Sequence, residues 1–341
     1  MNNKKNLLLT FVLPCYNVEK YVQQCLDSIY ECDLQENQFE VLCIDDCSMD
    51  NTATILENNQ RKHDNMKVVT HEFNKGWGGP RNTGIKEAQG RYLWFVDADD
   101  VIIGNQLEKV LRKTVDESLD LLCFNYQRID DCGNVVENQS VFNEMRPQDG
   151  YSFSESAFGS NGIVYHMGFV WRFVYRTDYL RTHQLFFPEH VCWEDTVFMP
   201  KSVLEAERVA AVSDVMYSYR VNPQSISGIF GRVYPAKLIY EFAFCAGLDL
   251  LHFSEEVKRD ELKQAFRKTA IHKYFNGYSI HLLRTSKEER KKFYQMVKER
   301  GSEINEVKPY LILFNKILLN PAFGPILASI CSMLYKLKHR K

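Results

Sequence analysis

No aspartate or glutamate occurs between Val307 and Lys341, although the chain of 341 residues carries 44 acidic groups elsewhere, against 42 lysines and arginines. The deficit is local. A formal net charge of −2 gives no basic excess for a nucleic-acid partner, and the first two-thirds hold no basic stripe with interleaved aromatics. Also missing is an apolar run of the ~20 residues that a membrane-spanning helix needs. The apolar part of the tail is cut by Asn315, Lys316, Asn320, Pro321 and Pro325. Ten cysteines are present, but none forms a Cys-x-x-Cys pair, so neither a zinc ribbon nor a regular disulfide framework is expected. Cys43 and Cys47 flank an acidic turn and are read as plain thiols. The apolar run that starts at Leu7 meets Pro14 before any small-residue cleavage site. No secretory leader is therefore expected, and the reading is a protein of the reducing cytoplasm.

What the chain does have is Asp97-Ala98-Asp99-Asp100 directly after the apolar run Tyr92–Val96. A short buried strand that stops in three carboxylates puts negative charge where a hard cation and its phosphates can reach it. Three more units of the same kind precede it. Leu7–Leu13 reads as a buried strand ended by Pro14-Cys15-Tyr16-Asn17, after which Val18, Val22, Cys25, Leu26 and Ile29 recur at helical spacing. Phe39–Ile44 is a second strand closed by Asp45-Asp46-Cys47-Ser48. Lys67–His71 is a third, leading into the glycine-rich loop Gly76–Asn82 and a helix that Pro80 can start and Gly90 can stop. Strands alternating with helices predict a parallel α/β sheet whose ligands sit at the carboxyl ends of its strands. Every polar cluster named so far falls on that edge.

These segments resemble a known family. Phe11–Asn17, Ile44–Ser48, Arg81-Asn82-Thr83-Gly84 and Asp97–Asp100, in this order and spacing, are similar to the family-2 nucleotide-sugar glycosyltransferases. Trp193-Glu194-Asp195 matches the acidic pair of that family, and Tyr219-Arg220 with Ser225-Ile226-Ser227 matches its closing segment. The resemblance covers residues 7–230. It implies a GT-A fold, a Rossmann-like mostly parallel sheet flanked by helices, as a catalytic domain over 1–230, with a helical extension over 231–341.

The resemblance also implies roles. Asp99 is expected to hold Mg2+ or Mn2+ on the donor diphosphate, with Asp97 at the ribose or the metal. One or both of Asp45 and Asp46 are expected at the base and ribose, Pro14, Tyr16 and Asn17 at the wall around the base, and Arg81 either at the diphosphate or in a helix-start ion pair with a neighbouring aspartate. Pro80 stands where the family has a small residue before this arginine. Asp195 is the expected general base of an inverting transfer. Glu194 is read either as positioning the acceptor or as favouring the start of a helix, and Trp193 as packing or as a stacking face for the acceptor sugar. The expected donor is a nucleoside-diphosphate sugar, read as a UDP-sugar. The acceptor is a glycan or lipid-linked oligosaccharide of surface polysaccharide synthesis.

Beyond Tyr126 the pattern loosens. Asp130–Asn134 is a turn between Leu119–Ile129 and a polar strand near Val135–Val141, an edge hairpin. Met145–Gly162 reads as a loop over one side of the site and Phe169–Thr182 as a helix with an aromatic face. Asn222–Gly228 reads as a lid. Tyr234–Phe253 and Glu256–Leu283 keep helical spacing. Lys308, Lys316, Lys336, Lys338, Arg340 and Lys341 bracket the tail, which reads either as an amphipathic segment on an anionic membrane surface or as a helix packed on the domain. Two other classes are weighed. A sugar nucleotidyltransferase needs a glycine-rich basic loop after its first strand, where this chain has Pro14–Asn17. An inactive transferase-like scaffold has no need of the full acidic set.

Overall fold

The computed structural model describes residues 7–140, 142–158, 169–189, 194–221, 236–257 and 260–270, with isolated positions further on. The chain divides into two compact units, Met1–Gly228 and Ile229–Lys341.

In the first unit, β1 (Leu9–Cys15), β2 (Phe39–Asp45), β3 (Met66–Thr70) and β4 (Tyr92–Phe95) lie in the order β3-β2-β1-β4 and are all parallel. Between them run α1 (Val22–Tyr30), α2 (Thr52–Gln60) and α3 (Gly78–Glu87). This is the expected α/β pattern. The strand order reverses at β1, the kind of switch point where such sheets bind ligands. β1 runs one residue past Pro14, and the ladder explains why. The Val12 carbonyl accepts from Val96 on the β4 side and the Cys15 carbonyl accepts from Asp46 on the β2 side. Pro14, two residues after Val12, therefore turns its missing N–H toward β4, where pairing has already ended at Phe95.

The sheet continues through β5 (Val101–Ile102), β6 (Leu121–Ile129), β7 (Val135–Gln139), β8 (Met145–Gln148), β9 (Phe173–Arg176) and β10 (Val209–Arg220), with overall order β3-β2-β1-β4-β9-β6-β10-β5. β6 and β10 are parallel, and β9 is inserted antiparallel between β4 and β6. The predicted hairpin is present as β6 and β7, but it is not at the edge, since β6 also pairs with β9 and β10 inside the sheet. Two further expectations need correction. Phe169–Thr182 is not one helix: a single 3-10 turn, Val170–Arg172, leads into β9, and only Thr177–Thr182 is helical (α6, after α4 at Leu107–Asp116 and α5 at Gly150–Phe158). Phe173, Val174 and Tyr175 are buried on both faces, so the segment pairs with two strands and its apolar run carries no helical period. Met145–Gly162 is likewise not a plain loop over its described part, which holds β8 and α5. A Cβ on Gly150 would stand 1.7 Å from the Val203 carbonyl oxygen, so α5 starts against the end of α7 (Glu194–Leu204) only because that residue is glycine.

Trp94 lies at the centre of the core, fully buried, packed on Phe11 and Phe124 and donating from Nε1 to the Trp171 carbonyl at 2.8 Å. In the second unit, helices Ala236–Glu256 and Asp260–Thr269 meet through Phe253 and Phe266, whose rings lie edge to face at 5.2 Å. Among the described residues no helix is long and apolar enough to cross a membrane.

Candidate active site

The carboxyl ends of β1 and β2 are tied to each other by their loops. The Asn17 amide donates to Ser48 Oγ at 3.0 Å and its Oδ1 accepts from the Met49 amide at 2.8 Å. Val18 donates to Thr52 Oγ1 at 2.9 Å, Glu19 to Asp50 Oδ2 at 3.1 Å, and Asn51 to Glu19 Oε2 at 2.9 Å. Both loops turn through left-handed backbone, Asn17 at φ 51° and Cys47 at φ 67°. Asparagine tolerates that region; cysteine does so at a cost that the surrounding bonds must offset. Tyr16 is exposed beside them, and Pro14 is partly buried behind it.

The adjacent acids Asp45 and Asp46 are both buried but differently occupied. Asp45 Oδ1 accepts from the Ser48 amide at 3.2 Å. Asp46 binds His71 Nδ1 at 2.6 Å and accepts the Lys75 amide on both oxygens at 3.0 Å, and His71 Nε2 meets Thr83 Oγ1 at 2.9 Å. Asp46 thus fastens the glycine-rich loop and α3 to the sheet, and its carboxylate is already engaged. His71 was missed from the sequence; the available signal was its position at the end of β3, level with Asp46.

Arg81, in the first turns of α3, joins two distant acids. Nη2 meets Asp97 Oδ1 at 2.7 Å and Nη1 meets Glu194 Oε1 at 2.5 Å. The guanidinium side chain is 8% exposed. Burial alone would lower its pKa, but Asp97 and Glu194, with Asp195 behind them, outweigh that and hold it protonated. Burial also raises the Glu194 carboxyl, an effect that Arg81 opposes. Glu194 and Asp195 are the first two residues of α7. Glu194 therefore has a partner that neither sequence reading foresaw. Arg81 is held as a strut between the acidic turn and α7, with both terminal nitrogens on carboxylates. Trp193 and the segment Asn222–Gly228 lie outside the described residues.

The acidic turn itself separates into two kinds of carboxylate. Asp100 is fully buried: Oδ2 accepts from the Tyr217 hydroxyl at 2.8 Å and Oδ1 from the Arg220 amide at 2.7 Å. It is an anchor. The same hydroxyl accepts the Asp97 amide at 3.1 Å, so Tyr217 clamps both ends of the turn. Arg220, also fully buried, donates from Nε to the Asp99 carbonyl at 2.8 Å, from Nη1 to the carbonyls of Asp130 and Asp131, and from Nη2 to Gln24 Oε1. What remains facing the edge is Asp97, whose side chain is 28% exposed, and Asp99. Burial, then the charge of Asp97, pushes the Asp99 carboxyl up to about 6. Two crowded carboxylates are the hard-oxygen donor set that Mg2+ or Mn2+ takes when substrate phosphates complete its coordination. Among the described residues no cluster of three or more His, Cys, Asp or Glu could hold an ion alone.

Comparison with known proteins bears on this site. Residues 10–206 match the family model described as Glycosyl transferase family 2. The chain is similar to the poly(ribitol-phosphate) beta-N-acetylglucosaminyltransferase TarS of Staphylococcus aureus, 30% identical over 277 residues, 79% of this chain and 45% of that protein. It is also similar to the poly(ribitol-phosphate) beta-glucosyltransferase of Bacillus spizizenii, 30% identical over 215 residues, 62% of this chain and 32% of that protein. The chain thus spans less than half the length of either relative. The crystal structure of S. aureus TarS 1-349 in complex with UDP-GlcNAc superposes with a TM-score of 0.67 at 25% identity, over 97% of this chain and 92% of that one.

Proposed function

Since the chain belongs to glycosyl transferase family 2, we propose that it transfers a sugar, with inversion and with a divalent cation, from a UDP-sugar to a hydroxyl of a glycan, polyol-phosphate or lipid-linked acceptor in surface polysaccharide synthesis. The observation that carries this reading is the convergence on Arg81 of Asp97 from the end of β4 and Glu194 from the start of α7. It brings the proposed donor acid and the proposed acceptor-side acids into one network. The structure with UDP-GlcNAc that this fold resembles supports the donor class.

In this reading Pro14, Tyr16, Asn17 and Asp45 bound the base and ribose, with Asp46 holding the loops in place. Asp97 and Asp99 would hold Mg2+ or Mn2+, which when bound neutralises charge on the departing diphosphate. Arg81 adds positive charge beside them and fixes Asp97. Asp195 accepts the proton of the acceptor hydroxyl as its oxygen attacks the anomeric carbon opposite the diphosphate. A carboxylate is too weak a base to remove that proton beforehand, so it acts as the bond forms. Glu194 orients α7 through Arg81. Asn222–Gly228 as a lid, Trp193 at the acceptor and Val307–Lys341 on an anionic membrane surface belong to the same reading and rest on the sequence. Co-sedimentation with anionic vesicles at low salt, lost on truncation before Val307, tests the last of these.

The test of the whole is UDP release from UDP-GlcNAc and other UDP-sugars with and without Mn2+. Metal-dependent release that disappears in Asp99→Asn, with the fold intact by circular dichroism, supports it. Release independent of both metal and Asp99, or absence of any UDP-sugar binding, overturns it.

A further inference from the structure

The carboxyl edge of the sheet carries a second charged feature that the donor reading leaves unused. Arg172, the last residue of the 3-10 turn before β9, is 6% exposed. Its Nε and Nη2 are closed to solvent and have no hydrogen-bond partner among the described residues. These two nitrogens share one edge of the guanidinium plane, an edge that can grip a carboxylate or phosphate through two parallel bonds. The group is flanked instead by aromatic rings, Phe142 at 4.7 Å and Tyr126 at 5.1 Å from Cζ. Cation–π packing satisfies the faces of a buried guanidinium and leaves its edge donors unmet, and such donors are costly to desolvate. An apolar residue of similar volume would fill the same space without that cost.

The position is informative. β9 runs antiparallel to β4 with Val174 opposite Trp94, which sets Arg172 level with the end of β4, where Asp97 follows. The preceding residue, Trp171, lies flat on Tyr217, rings 4.3 Å apart and 6° from parallel, and Tyr217 is the residue that clamps the acidic turn. Phe169 continues the stack at 4.9 Å from Trp171 and is 37% exposed. Tyr126 packs edge-on against both Phe169 and Trp171 with Arg172 on it. An aromatic ledge thus leads outward from the acidic turn with a cation beside it. Aromatic faces suit the C–H surface of a sugar or polyol, and the arginine edge suits an oxyanion.

We propose that Phe169, Trp171, Tyr126 and Arg172 form an acceptor subsite for an oxyanion-bearing chain, its phosphate or carboxylate held by Arg172 and its adjoining sugar or polyol stacked on Phe169. The assignment to the acceptor rests on the glycosyltransferase reading above. Because both nitrogens are sealed, binding includes a side-chain opening step, and association should be slower than for UDP.

The test uses the full chain saturated with UDP and Mn2+, so that the donor diphosphate site is filled. Ribitol 5-phosphate, glucuronate and uncharged ribitol are titrated by calorimetry against wild type, Arg172→Met and Phe169→Ala. The expected result is saturable binding of one of the two anions and none of ribitol; which anion binds separates phosphate from carboxylate acceptors. Arg172→Met should weaken that binding at least tenfold while its Tm stays equal or rises, and Phe169→Ala should weaken it several-fold. No anion binding, or binding unchanged in both variants, overturns the proposal. So does a fall of several degrees in the Tm of Arg172→Met with Phe169→Ala binding normally, which would assign the arginine to packing. Failure of the donor reading shows separately, as absence of UDP binding by wild type.

Discussion

On the β1–β4 side of the sheet edge, loops are joined by polar bonds: Asn17 to Ser48 and Met49, Val18 to Thr52, Asp46 to His71 and Lys75. On the β6–β10 side rings do more of the work, with Tyr126, Phe169, Trp171, Tyr217 and Tyr219 in one contact network, while the polar reach to the acidic turn comes from the Tyr217 hydroxyl and from Arg220. Hydrogen bonds fix atoms in direction, whereas ring packing fixes volume and tolerates exchange of one shape for another. In the proposed reading the polar side meets a nucleotide atom by atom, and the aromatic side meets a sugar surface that can vary.

The largest effect should fall where the two sides meet. Asp195→Asn keeps shape and removes the proposed proton acceptor, so turnover should drop by about 10²-fold or more with UDP affinity held. Loss of UDP affinity with turnover retained at saturation would move Asp195 to the donor side and break the division. On the polar side, His71→Ala leaves the buried Asp46 carboxylate short of its ring partner. It should cost about 1–3 kcal/mol of stability by urea unfolding and weaken UDP binding as well, because the loops of β2 and α3 loosen together. Normal UDP affinity in a destabilised His71→Ala would show that these loops do not shape the donor site.

On the aromatic side, Tyr217→Phe keeps the Trp171 stack and removes only the hydroxyl between Asp97 and Asp100. A stability loss of about 1–2 kcal/mol is expected, with metal-assisted UDP binding impaired more than binding of UDP alone. The smallest expected change is in stability and concerns Asp99. Its carboxyl is raised to about 6 by burial and Asp97, so the folded state holds that proton more tightly than the unfolded chain does. The protein therefore loses stability as pH rises from the ordinary carboxylate range through about 6. Asp99→Asn removes the ionised form, and without metal its Tm should exceed that of wild type at neutral pH by a few degrees, with the gap closing in acid. A Tm for the variant that is equal or lower at neutral pH would show that the carboxylate is not strained.

The β1–β4 half of the fold was legible because each strand there is a short apolar run closed by a distinctive polar turn, and the turns fell on one edge. The acidic turn was legible as a cluster but not in its division of labour, since Asp99 and Asp100 differ only in what β10 brings to them, about 120 residues later. An ion pair of Arg81 with a nearby aspartate was legible and is made to Asp97, whereas its second partner was hidden for the same reason: Glu194 is 113 residues away. β9 was misread because a strand buried on both faces shows no alternation, and Arg172 was passed over because an unmet donor leaves no pattern in a sequence. The readings of Trp193, Asn222–Gly228 and Val307–Lys341 fall on residues outside those described.

Arg220 gives the site a place in time as well as in space. It is the last residue but one of the described first unit, and its side chain and amide close on Asp99, Asp100, the β6–β7 turn and α1 together. A nascent chain emerging amino terminus first would have β1 to β4 and their loops available well before Arg220 is made. Until then the acidic turn lacks its clamp and Asp100 lacks its buried partners. A half-made protein of this design has the loops of β1 to β4 but not yet a settled set of carboxylates, so the acidic turn takes its final form only when β10 is complete.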